Sequence, residues 1–95
     1  MEVIKEYTIC SEQGWHARPC ALITRTIVGH PSVWVELFHP RSKRTTDGKS
    51  LFELMLFGAN KGDKVIIKLK SEDKEEIDDL IKTLDRLIPG FYDSE

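Results

Sequence analysis

Apolar and polar positions repeat with two different periods along the chain, and the changes of period mark out its elements. From Glu2 to Cys10 the pattern is that of a strand. Val3, Tyr7 and Ile9 share one face, with Glu6 and Thr8 on the other. A polar turn, Ser11 to Gly14, follows, and then the period lengthens. Between Ala17 and Val28, Cys20, Ile23, Thr24 and Ile27 line one helical stripe, with Ala17, Ala21 and Val28 beside it. Pro19 is tolerated near a helix start, and Gly29 and Pro31 end the helix. Val33 to Phe38 reads as a strand of open register, because Trp34 and Phe38 are as apolar as Val33, Val35 and Leu37. His39 to Ser42 reads as a loop, Lys43 to Thr46 as a short strand, and Asp47-Gly48 as a turn. Ser50-Leu51-Phe52-Glu53 has the form of a capping box, which predicts a short helix to Leu56 or Phe57, closed by Gly58. Val65 to Leu69 is a further strand. Asp73 then opens a helix whose stripe is Ile77, Leu80, Ile81, Leu84 and Leu87 or Ile88.

The order β-α-β-β-α-β-α predicts an α+β fold, with helices on one face of an antiparallel sheet. With 95 residues, 40% hydrophobic and 32% charged, the chain predicts one domain over residues 1–90 and a tail at 91–95. A domain this small lacks room for a deep substrate cavity. Lysine and arginine total 14 against 16 acids, which disfavours a general nucleic-acid binder. No apolar run approaches the ~18 residues of a membrane helix, and the first residues do not resemble a signal peptide. Cys10 and Cys20 do not make a disulfide framework, so a cytoplasmic monomer is expected. His16, His30, His39, Cys10 and Cys20 lack the close paired spacing of a metal site. Neither metal nor cofactor is expected. Arg41-Ser42-Lys43-Arg44 is a short basic cluster, read as solvated surface, with contact to phosphate or an acidic partner as the sharper reading.

One stretch carries chemistry: Gly14-Trp15-His16-Ala17-Arg18-Pro19, where a strand gives way to a helix. The first N–H groups of a helix have no partner within it, and with the helix dipole they form an anion site. His16 brings an imidazole nitrogen to that point, and Arg18 a guanidinium suited to phosphate. Imidazole has a reference pKa of about 6.5, so a neutral, nucleophilic ring is accessible near neutral pH. These parts suit a reversible phosphoryl acceptor. The plainer alternative is a surface histidine beside a helix cap. A phosphohydrolase ranks lower, because Glu12 is the sole carboxylate near Gly14–Pro19 in the sequence.

Gly14-Trp15-His16-Ala17-Arg18-Pro19 resembles the active-site signature of the HPr family, the histidine-containing phosphocarriers of the bacterial phosphoenolpyruvate-dependent sugar phosphotransferase system. Lys49-Ser50-Leu51-Phe52-Glu53-Leu54 is similar to the family's second signature, and the likeness runs from about Val3 to Ile88. The resemblance implies an open-faced β-sandwich, a four-stranded antiparallel sheet with three helices on one face. It implies a phosphoryl carrier rather than an enzyme. His16 would accept the group on Nδ1 from enzyme I and pass it to a sugar-specific IIA component, with Arg18 assisting. Ser50 matches the serine that HPr kinase/phosphorylase modifies in many bacteria, although the capping box alone explains a serine there. Leu51 and Phe52 match partner-docking positions, which Trp15, Ala17 and Ala21 would join. The chain departs from the family pattern at Trp15, at Cys20, at Ser71 and in a longer, basic His39–Thr46 region. These departures leave open a regulatory paralogue that acts as a partner-binding module, switched by phosphorylation of Ser50 or His16.

Overall fold

A computed structural model describes residues 1–90; the tail expected at 91–95 lies outside them. The elements are β1 (Glu2–Thr8), α1 (Ala17–Val28), β2 (Trp34–His39), β3 (Arg44–Thr46), α2 (Leu51–Leu56), β4 (Lys64–Lys70) and α3 (Lys74–Leu87). The four strands form one antiparallel sheet in the order β1-β4-β2-β3. The fold is the α+β open sandwich that the sequence implied.

Alternation decides what each strand buries. On β4, Val65, Ile67 and Leu69 face the helices, and Val35 and Leu37 of β2 stand opposite Leu69 and Ile67. This settles the register of β2. Val33, Val35, Leu37 and His39 point inward, while Trp34 is half-exposed on the outer face, under Lys70 at 5.0 Å. The helices complete the core with Cys20, Ile23 and Ile27 from α1, Leu54 from α2, and Ile77, Leu80, Leu84 and Leu87 from α3. Burial of Cys20 pushes its thiol up to about 11, which makes it an apolar space-filler. Asp73 caps α3 by accepting from the Glu76 N–H.

Three sequence expectations are corrected. β1 ends at Thr8 rather than Cys10, because the N–H groups of Cys10 and Ser11 turn away to the Pro89 carbonyl at 2.7 and 3.1 Å. β3 begins one residue late, since Lys43 takes a positive φ of 60° to close the hairpin. His39 belongs to β2, not to a loop, and is fully buried.

Candidate functional site

The segment before α1 is held from two sides by the backbone. Gly14 has φ +64°, and a Cβ there would stand 2.5 Å from the Ala59 carbonyl oxygen, so both its conformation and its closeness require glycine. Next to it, the Trp15 N–H donates to the same Ala59 oxygen at 2.8 Å. The C-terminal turn of α3 supplies the other side through Pro89. The connection before α1 is therefore tied to the α2–β4 connection and to the end of α3, and α1 starts from a fixed point.

Trp15 was expected on the contact surface and is instead buried, with 7% of its area exposed. Its indole Nε1 donates to the Ile88 carbonyl at 3.2 Å, and its ring stacks on Phe57 with centroids 6.0 Å apart. An indole buries more area than most side chains, and its N–H must find an acceptor once buried. The α3 end and Phe57 meet both needs. Trp15 thus joins the core between the end of α3 and Phe57.

His16 is the N-cap of α1, with extended backbone angles (φ −111°, ψ −168°), and its side chain makes no capping bond. Its carbonyl accepts from the Cys20 N–H at 3.2 Å and starts the helix. Ala17 and Arg18 are exposed at the first two helical positions, and Pro19 is buried at the third, where its missing N–H costs little. No acid occupies the first turn of α1. The nearest carboxylate in sequence, Glu12, is ion-paired with Lys61. The half-exposed His16, the exposed Arg18 and the positive end of a twelve-residue helix thus lie within one turn of chain, and that turn contributes no carboxylate. An anion such as a phosphoryl group is what this arrangement favours.

Ser50 is the N-cap of α2, and its Oγ accepts from the Glu53 N–H at 3.4 Å. Only half of the expected capping box forms, because the Glu53 carboxylate takes the Thr46 hydroxyl instead of turning back. α2 packs beside α1 and buries only Leu54, so its other apolar residues face outward. Leu51 and Phe52 are exposed as expected, Phe52 by 79%; Met55 and Leu56 extend the patch and were missed. The signal was present in the sequence. A six-residue helix offers one narrow buried stripe, and Leu54 fills it. Ala17 is exposed and Ala21 half-buried on α1. Among the described residues no group of His, Cys, Asp and Glu is arranged to hold a metal, and no helix is long and apolar enough to cross a membrane.

The sequence matches the family described as "PTS HPr component phosphorylation site" over residues 3–88. No curated protein matches it. Several solved structures are similar in fold. The phosphocarrier protein HPr of Bacillus anthracis str. Ames has a TM-score of 0.67 at 21% identity, over 83% of this chain and 92% of that one. HPr-C-His of Thermoanaerobacter tengcongensis has 0.71 at 22%, over 90% and 94%. The histidine-containing phosphocarrier protein of a mycoplasma has 0.74 at 18%, over 90% and 97%.

Proposed function

The chain belongs to the HPr family of phosphotransferase-system phosphocarriers, and from that membership we propose that His16 is its phosphoryl acceptor. The group arrives from enzyme I and leaves to a sugar-specific IIA component, in the cytoplasm. Nδ1 of the neutral ring attacks the phosphorus as the donor's bond breaks, and the dianion then rests against the start of α1 and the Arg18 guanidinium. Transfer of this kind depends on positioning and on electrostatic stabilisation. The backbone ties at Gly14, Trp15 and Pro89 supply the first, and the helix end and Arg18 the second. The chain is acted on by partner enzymes and has no turnover of its own. The exposed apolar residues of α2, with Ala17 and Ala21 of α1, form the docking surface.

The observation that carries this reading is the placement of His16 at the N-cap of α1, with a side chain that does not cap the helix. Incubation with phosphoenolpyruvate and enzyme I tests it. The expected product is an acid-labile phosphoryl adduct; a chain left unmodified by several competent enzymes I overturns the proposal.

A second reading rests on Ser50, which heads α2 at the edge of the exposed patch of Leu51 and Phe52. Phosphorylation there by HPr kinase/phosphorylase would set a dianion beside an apolar contact surface and switch partner binding. Loss of regulation in Ser50→Ala, with His16 phosphorylation intact, is its signature.

A further inference from the structure

The β2–β3 hairpin carries a second group of reactive side chains that phosphoryl carriage does not use. His39 is fully buried. Its Nδ1 lies 2.7 Å from Ser42 Oγ and its Nε2 lies 3.0 Å from Asp63 Oδ2, while Phe57 stacks on the ring. The ends of this chain order its protons. Arg41 above all, with the Asn60 N–H and His39, holds the Asp63 carboxyl down at about 2 against the opposing effect of burial. The carboxylate therefore accepts, and Nε2 donates to it. In the neutral ring Nδ1 is then an acceptor, and the Ser42 hydroxyl is its donor. The Arg44 N–H donates to the same Oγ at 3.3 Å. Ser42 itself is half-buried rather than enclosed.

A hydroxyl bonded to an imidazole, itself oriented by a carboxylate, is the arrangement that activates a serine. We propose that Ser42, His39 and Asp63 form a second nucleophilic site, at which the half-exposed Ser42 hydroxyl takes an acyl group from small activated carboxylic esters. Ser42 Oγ bonds to the acyl carbon as the ester's bond to its leaving oxygen breaks. The serine proton moves to Nδ1 of His39, and the activated leaving group departs into solvent as its anion. No oxidant or second substrate is needed.

The test uses the full chain and p-nitrophenyl acetate, with the adduct located by mass spectrometry of peptides. One acetyl group on Ser42 is expected. Ser42→Ala removes it while His16 phosphorylation persists. His39→Gln slows labelling about a hundredfold or more, the range of general-base assistance. Asp63→Asn slows it as well, which provides a second reading of the chain should the histidine variant fail to fold. Acetylation confined to lysines and the terminal amine overturns the site. So does labelling of Ser42 at an unchanged rate in the folded variants, because the histidine would then be only a structural tie.

Discussion

His16 and His39 place the same side chain in opposite surroundings. His16 is half-exposed at the start of α1, and the backbone around it is fixed from outside, through Ala59, Ile88 and Pro89. His39 is enclosed, with both ring nitrogens engaged by Ser42 and Asp63. Yet the two regions share a wall. Phe57 stacks with both Trp15 and His39, with centroids 6.0 and 5.6 Å apart. The contrast teaches that imidazole chemistry here is set by what its surroundings leave accessible. A half-exposed ring at a helix start keeps part of its surface open to solvent. An enclosed ring passes its influence to a neighbour, here the Ser42 hydroxyl.

The largest expected effect comes from removing the ring that stacks on the shared wall from the His16 side. Trp15→Ala should cost about 3–5 kcal/mol in urea denaturation, the usual range for deleting a buried aromatic, and should slow phosphorylation as the loop loses its anchor. Stability within 1 kcal/mol of wild type would contradict the buried placement of Trp15. On the other side, Asp63→Asn should cost about 2–3 kcal/mol, because Arg41 and His39 lose a charged acceptor. His16 phosphorylation should survive, which would show the two regions to be separable. The same carboxylate has a pH signature. Its folded value is depressed to about 2, so its contribution is complete above the ordinary carboxylate range near 3.9 and is lost as pH falls toward that lower value. The Asn variant should show a flatter acid limb in melting temperature.

Smaller effects sharpen the comparison at its edges. Ser50→Ala should cost about 1 kcal/mol through the lost cap, visible in denaturant midpoints. His30, at the end of α1, meets the Asp79 carboxylate at 2.9 Å. Burial lowers its pKa, but the bonds to Asp79 and the Thr26 carbonyl, with Glu76 nearby, outweigh this and raise it. Its contribution is therefore full below the unfolded value of about 6.5 and lost as pH rises through the folded one. Because Asp79 is largely exposed, the gain is at most about 0.5–1 kcal/mol. Asp79→Asn should narrow the difference in melting temperature between the two sides of that range.

Much of this was legible in the sequence because local rules agreed with the fold. The bounds of α1 were readable from Pro19, Gly29 and one apolar stripe, and α3 from Asp73 and its leucines. The segment proposed to accept the phosphoryl group stands out in the sequence because His16, Arg18 and Pro19 lie within one helical turn. What escaped depends on contacts distant in sequence. Trp15 reads as a surface residue until Phe57 and the Ile88 carbonyl are brought to it. His39 beside Pro40 reads as loop until Asp63, twenty-four residues later, gives its ring a reason to be buried. The register of β2 was undecidable from a run apolar on both faces, and pairing with β4 decides it.

The most direct test maps the phosphoryl group among His16, His30 and His39. The full chain is phosphorylated with phosphoenolpyruvate and enzyme I and read by nitrogen-15 NMR of the imidazole rings. The account predicts one phosphoryl group, on Nδ1 of His16, with the other two rings unmodified and no adduct in His16→Ala. An adduct on His30 or His39, or one that persists in His16→Ala, would contradict it.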